Sequence, residues 1–300
     1  MILVTGARGL IGTRLSELYT KTDSAEPALV CADLLDGFDI LDREALFSRA
    51  KEVMTPDSMI IHLAAFTDVS GAHNQDSDEG GLCYRLNVEG TRNVVDLANE
   101  LGAHLVHFST DFVFDGEKSA PYTEVDEPNP IEWYGKTKLI AEEVVRDNAG
   151  SWTIMRIAYP YHRVSGVRLD LVSTIRQKLS NGERLYLFGD QIITPTFADD
   201  IAQAAIKFSE RRLKGEIFHV MGPASLSPHQ LGARIAKLDG GDRSLITETS
   251  LEEYIKKDPR PRQKRLAMDT TKFRTFCQST GIPLQRDLEE ALGDCRFIPK

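Results

Sequence analysis

Three hundred residues suffice for one large domain or two closely packed ones, and 41% hydrophobic with 27% charged residues is the balance of an ordinary globular chain. A net charge of −9 argues against a nucleic-acid partner, which would need a basic patch, but leaves room for an anionic small molecule held by local arginines. Cys31, Cys83, Cys277 and Cys295 are too scattered for a disulfide framework or a zinc site, and no apolar run spans a bilayer, so reduced thiols, a cytoplasmic location, no membrane and no metal are expected.

Ile2 to Val4 reads as a strand, with no charged leader before it. It runs directly into Gly6-Ala7-Arg8-Gly9-Leu10-Ile11-Gly12, and the pattern predicts a helix over Leu10 to Tyr19. At a strand–helix junction such a loop suits a pyrophosphate: Gly6 for the turn, Gly9 for close backbone approach, Gly12 for helix–sheet packing. Free amides and the positive dipole end of the helix complete the site. Ala28 to Cys31 is the next strand, and Asp33 stands about twenty residues past the loop, where an acid can bond the adenosine ribose. That acid favours NAD, whereas Arg8 is a partner for the extra phosphate of NADP, so both cofactors stay open. The competing reading of Asp33 is a loop carboxylate beside Asp36.

A helix near Arg43 to Val53, a strand at Met59 to His62 and a helix near Leu82 to Leu101 continue the alternation. His104 to Phe108, a helix from about Trp133 to Arg146, and Thr153 to Ile157 extend it. Near-continuous apolar strands alternating with helices predict an α/β fold, a doubly wound parallel Rossmann sheet. Beyond Ile157, breaks such as Pro160, Gly166, Gly182, Gly189 and Pro195, and the run Asp258-Pro259-Arg260-Pro261-Arg262, predict shorter elements. The expected division is a dinucleotide-binding domain over 1–157, with contributions from about 190–220, and a smaller mixed α/β substrate-binding lobe over 158–300. The acidic stretch 74–81 reads as a solvated loop.

Tyr134 and Lys138 lie four apart where a helix should begin, on one face and one turn from each other. An adjacent ammonium should lower the phenol's pKa, and the phenol can then protonate a carbonyl oxygen as a general acid. Ser109 and Thr110 leave the fourth strand at the end that faces the ligand crevice, so Thr110 can bond the same oxygen. The bland alternatives are a surface pair for the first two and turn chemistry for the hydroxyls. His62 and His107 fall in buried strands and read as core histidines.

With these residues in place the chain resembles the extended short-chain dehydrogenase/reductase family over nearly its whole length. The glycine loop, Ile61-His62-Leu63-Ala64-Ala65, Leu86-Asn87-Val88-Glu89-Gly90-Thr91 and the Tyr134/Lys138 pair occur in that family's order. Within it the likeness is to the dTDP-4-dehydrorhamnose reductase group, through 109–116, Pro121-Tyr122-Thr123-Glu124, Tyr134-Gly135-Lys136-Thr137-Lys138-Leu139, Asp190-Gln191 with Pro195-Thr196, and Arg260-Pro261-Arg262. The resemblance implies a catalytic set of Thr110, Tyr134 and Lys138, with Lys138 also on the nicotinamide ribose. It implies Asn87 as support for the site's backbone and water, Asp39 and Ile40 against the adenine, and Ala64 and Ala65 beside the nicotinamide. Gln191, Thr196 and Arg260 are the implied contacts to a nucleotide sugar, Arg260 to its diphosphate; a surface salt bridge is the rival reading of Arg260. Phe112 where a tyrosine is usual, and Ser70 where an aspartate is usual, depart from the group's pattern.

The implied activity is NAD(P)H-dependent reduction of a nucleotide-linked 4-keto-6-deoxy sugar, with a homodimer as a possible assembly. Two alternatives share the motifs: a nucleotide-sugar epimerase that retains its NAD, and a non-catalytic NAD(P)-binding regulatory subunit like the beta subunit of methionine adenosyltransferase. Asp111-Phe112 after Thr110, where a dehydratase needs Asp-Glu, argues against dehydration.

Overall fold

The computed structural model describes residues 1–20, 28–55, 58–162, 169–258 and 260–295; Gly166 and Pro259, read above as breaks, lie outside them. Strands β1 (Ile2–Thr5), β2 (Leu29–Ala32), β3 (Met59–His62), β4 (His104–Thr110) and β5 (Trp152–Ile157) form one parallel sheet with a later strand, Glu216–His219. The order is β2-β1-β3-β4-β5 and then Glu216–His219, so the chain steps outward from β1 to β2 and returns to β1's other side with β3. Ligand crevices of doubly wound sheets open at that reversal.

Alternation along each strand divides the side chains between two cores. Ile2, Val4, Met59, Ile61, Val106, Phe108 and Met155 pack beneath α1 (Leu10–Tyr19) and a later helix, Ala198–Arg211. Leu3, Ile60, Leu105 and Ile154 face α2 (Arg43–Val53) and two further helices. Between β3 and β4 come α3 (Val69–His73), α4 (Leu82–Tyr84), a π-helical turn Arg85–Glu89 and α5 (Gly90–Leu101), the last three forming one continuous helix. Helix α6 (Trp133–Asn148) then leads to β5.

The remaining elements are β6 (Pro160–Tyr161), α7 (Leu171–Ser180), β7 (Leu185–Phe188), β8 (Thr196–Phe197), α8 (Ala198–Arg211), β9 (Glu216–His219), α9 (Pro228–Asp239), β10 (Ile246–Thr249), α10 (Leu251–Ile255), α11 (Thr271–Thr280) and α12 (Leu288–Asp294). Parallel β7 and β10 carry α9 over a third core of Val172, Ile175, Leu187, Leu231 and Ile235. This small mixed lobe beside the Rossmann sheet completes the fold class that the sequence predicts. Helix α8 is tied to α1 by a buried pair: Arg14 Nε donates to Asp199 Oδ1 at 2.6 Å and Nη2 to Oδ2 at 2.9 Å.

Candidate active site

A cleft of about 730 Å³ opens at the C-terminal ends of β1, β2, β3 and β4, a volume ample for a small-molecule ligand. Its walls include Gly6, Gly9, Leu10, Ile11, Gly12, Asp33, Asp39, Ile40, Ala64, Ala65, Thr110, Tyr134 and Lys138. Residues separated by more than a hundred positions in the chain therefore meet at one crevice.

The glycine loop owes its course to close contacts. Gly6 has φ +68°, and a Cβ there would stand 2.6 Å from the backbone nitrogen of Ala64, so only glycine lets the loop cross β3's exit. A Cβ on Gly12 would stand 2.5 Å from the Gly6 carbonyl oxygen, so the helix packs on its own entry loop. Gly9 begins α1 with no side-chain cap and no acid follows in the first turn, which leaves amides free for an anion. Asp33 lines the cleft and accepts from the amides of Arg8 at 3.1 Å and Leu35 at 3.3 Å. Arg8 is turned to the surface, where Asp36 pairs with its guanidinium (Nε–Oδ2 2.9 Å), and it forms no part of the cleft wall. Asp39 Oδ1 accepts from the Leu41 amide at 2.8 Å, and buried Ile40 is held through its carbonyl by Asn93.

Tyr134 and Lys138 project from the first turns of α6. Buried Glu132 caps this helix, accepting from the amides of Gly135 at 2.6 Å and Tyr134 at 2.9 Å. Burial pushes its carboxyl up to about 7, against those two bonds. Lys138 is buried, its Nζ donates to the Phe108 carbonyl at 2.6 Å, and burial brings its ammonium down to about 8. The expected lowering of the tyrosine's pKa is corrected: burial raises Tyr134 above the ordinary phenol value, assisted by the negative charges of Glu132 and Asp111. The nearby Thr110 hydroxyl opposes the rise. Physically, Lys138 has committed one bond to Phe108 while the phenol is desolvated beside acids; Phe112 meets its ring edge-on at 5.8 Å.

Thr110 closes β4, accepts from the Phe112 amide at 3.2 Å and donates to Asp111 Oδ1 at 3.1 Å. Asn87 sits in the π-helical turn, fully buried, and stitches two walls together. Its Oδ1 accepts from the Phe66 amide at 2.8 Å and its Nδ2 donates to Thr137 Oγ1 at 2.9 Å. A π-turn re-aims one side chain inside an otherwise regular helix, and here that side chain is Asn87.

The three residues expected on the sugar side are placed differently from one another. Arg260 does not itself line the cleft but bonds a residue of its wall, donating from Nη1 to Ser70 Oγ at 2.8 Å while Asp258 holds its Nε at 2.9 Å. Gln191 donates to the Gln263 carbonyl at 3.0 Å and lies outside the cleft wall. Thr196 is fully buried away from the cleft, its hydroxyl donating to the Thr194 carbonyl and accepting from the Gly222 amide. The sequence reading missed the cap Glu132 and, in the cleft wall, Tyr159 and the Leu169-Asp170-Leu171 edge. Tyr159 has φ +40°, a strained backbone for a tyrosine and a signal no sequence pattern carries. His62 and His107 are buried with ring centroids 5.4 Å apart, and among the described residues no cluster of three His, Cys, Asp or Glu could hold a metal.

The chain belongs to the extended short-chain dehydrogenases/reductases of the RmlD type: the family model described as RmlD substrate binding domain matches residues 1–296. Among its relatives, the probable low-salt glycan biosynthesis reductase Agl14 of Haloferax volcanii is 29% identical over 285 residues, covering 91% of this chain and 92% of the relative. The crystal structure of a dTDP-4-dehydrorhamnose reductase from Clostridium acetobutylicum superposes with a TM-score of 0.83 at 29% identity, over 98% of this chain and 97% of that one. The dTDP-4-dehydrorhamnose reductase of Bacillus anthracis, in complex with NADP, also gives 0.83, at 26% identity over 97% and 96% of the two chains.

Proposed function

We propose that the chain is an NAD(P)H-dependent reductase of a nucleotide-linked 4-keto-6-deoxy sugar, of the dTDP-4-dehydrorhamnose reductase kind. The observation that carries this reading is the shared cleft: Thr110, Tyr134 and Lys138 line the same space as the glycine loop and Asp33. Relatives of matching length that bear the reductase's name add support. The uncapped start of α1, the tight Gly6 crossing and Asp33 fit a nicotinamide dinucleotide, which when bound supplies the hydride.

Tyr134 donates its phenolic proton to the substrate's carbonyl oxygen as that carbon is reduced. The Thr110 hydroxyl bonds and orients the same oxygen. Lys138, anchored on the Phe108 carbonyl, has two N–H bonds left for the cleft and stabilises negative charge developing there. Arg260, beside Ser70 at the mouth, is the proposed diphosphate contact, while Gln191 and Thr196 shape the lobe behind it.

Mixing the purified protein with NADH or NADPH and a dTDP-4-keto-6-deoxy sugar should oxidise the nicotinamide in step with sugar reduction. Retained NAD with no net consumption would mark an epimerase instead, and a stoichiometric protein partner without reductase activity would mark a regulatory subunit. Tyr134→Phe should bind cofactor normally and lose about 10²–10⁴-fold in kcat. Undiminished turnover in that variant would remove Tyr134 as the acid.

A further inference from the structure

The wall of the cleft carries four aspartates, Asp33, Asp39, Asp111 and Asp170, and one cation, Lys138. A ligand with phosphates must therefore draw further counter-charge from side chains standing behind the wall. Ser70, in the first turn of α3, is an exposed residue of that wall, and behind it stands a charged cluster from the smaller lobe. Asp258 accepts from Arg260 Nε on both carboxylate oxygens at 2.9 Å and also from Nη2, while Arg262 Nη2 reaches the same carboxylate at 3.2 Å. Two guanidiniums share one carboxylate, so the cluster keeps a net positive charge. Asp68, two residues before Ser70, turns its carboxylate to Gly71 and is not part of the wall. Arg260 Nη1 donates to Ser70 Oγ at 2.8 Å. A guanidinium offers no acceptor in return, so the hydroxyl must send its own hydrogen elsewhere. Nothing among the described residues accepts that hydrogen, and Ser70 therefore presents a donor to the cleft.

We propose that Ser70 is the cleft residue that binds the diphosphate of the nucleotide sugar, its O–H donating to a phosphate oxygen while Arg260, held by Asp258, positions the hydroxyl and supplies the charge. Donor and charge arrive together, because a bond accepted from a guanidinium polarises the hydroxyl toward donation. The aspartate usual at this position in the group would act in the opposite sense. Its carboxylate would draw Arg260 into a second ion pair, cancel the cluster's charge and face the phosphates with acceptors only. Serine at position 70 leaves the positive charge free for a ligand. The dinucleotide has an anion site of its own at the uncapped start of α1, which leaves the diphosphate of the second ligand for Ser70. That choice of ligand rests on the reductase reading; the free donor and the charge behind it do not.

Calorimetric titration of the purified protein with dTDP and UDP, and separately with NADPH, distinguishes the two sources of diphosphate. For the tighter of the two nucleotides, Ser70→Ala should weaken binding about tenfold and Ser70→Asp about 100-fold. Ser70→Thr keeps the hydroxyl and should stay within about twofold of the wild type. NADPH should bind all three variants as it binds the wild type. Arg260→Met should weaken the nucleotide at least as much as Ser70→Ala, since it removes the charge and frees the hydroxyl to turn. With a keto-sugar nucleotide turning over, the loss in kcat/KM of Ser70→Ala and Arg260→Met should fall on KM, a split that a merely structural role would not produce. Equal nucleotide affinity in the wild type, Ser70→Ala and Ser70→Asp overturns the contact and leaves the reductase standing. A loss that falls on NADPH instead gives the hydroxyl to the cofactor and overturns it as well. So does a wild type that binds neither dTDP nor UDP, whatever its turnover. Nucleotide binding that depends on Ser70, without reduction of any keto-sugar nucleotide, supports the contact and sinks the reductase reading.

Discussion

On the proposed reading, charge placement around the glycine loop sets which nicotinamide the site prefers, and three side chains are proposed to control it. Asp33 lines the cleft, while Arg8, the residue suited to an added phosphate, is held outward by Asp36. Deleting that partner should release the guanidinium. Asp36→Ala is expected to raise NADPH affinity relative to NADH by about tenfold, the scale of one charge-assisted hydrogen bond. Paired titrations of the two cofactors measure the ratio, and an unchanged ratio would mean that Arg8 cannot reach the ribose. At this scale the sequence foresaw the placement: the glycines, Asp33, Thr110, Tyr134 and Lys138 all line the cleft they were expected to share. It misjudged the phenol's acidity because proximity along a helix is visible in a sequence and desolvation is not. The partners of Arg8 and Thr196 were invisible for the same reason, since both are set by distant segments.

Among the elements, α6 is the one whose position decides the geometry of the proposed acid–base pair. Its first turn rests on the loop after β4 so closely that a Cβ on Gly135 would stand 2.2 Å from the Phe112 carbonyl oxygen. Gly135→Ala must therefore shift the helix or the loop; overpacking of this kind costs about 1–3 kcal/mol. It should also lower kcat, because the shift falls between Tyr134 and Thr110; a melt and a rate measurement on one sample check both. Further along, Glu142 of α6 and Arg156 of β5 form a fully buried two-bond ion pair, at 2.9 and 2.7 Å. Arg156→Met strands the carboxylate and is expected to cost about 3–5 kcal/mol in a denaturant melt. Adding Glu142→Leu should recover most of that, and failure to recover would mean that packing against Phe114 dominates. Helices and central strands were legible from apolar periodicity, down to the bounds of α1 and α2. The cap was not, since glutamate is an uncommon N-cap and nothing in Glu132-Trp133-Tyr134 announces it. Nor was the π-helical turn at Asn87, which inserts one residue into a period the sequence leaves unbroken. The pairing of β7 with β10 joins four-residue strands some sixty positions apart, too short and too distant for pattern reading.

Across the whole molecule, the buried titratable groups oppose one another, and their balance sets how the fold responds to acid. Burial lowers His62 and His219 to about 3, His104 to about 4, and His107 well below its ordinary value. Below about pH 6.5 the unfolded chain protonates these four while the native state does not, so their contribution is lost as pH falls. Asp111 and Glu132 act in the reverse direction. Raised to about 7, they bind protons in the native state that the unfolded chain releases above about 4.5, so they add stability on acidification and lose it as pH rises through about 7. Between about pH 4.5 and 6.5, the four protons on these histidines favour the unfolded chain and the two on these carboxyls the native one, a net loss on the order of 2–3 kcal/mol per pH unit from these six groups, while burial adds a smaller opposing pair in His162, lowered, and Asp200, raised. Urea melts at a series of pH values across that window should show it, with stability falling on acidification. Removing the two opposing carboxyls in Asp111→Asn with Glu132→Gln should make the decline about twice as steep. A slope that the double variant leaves unchanged would mean that those carboxyls are ionised in the native protein.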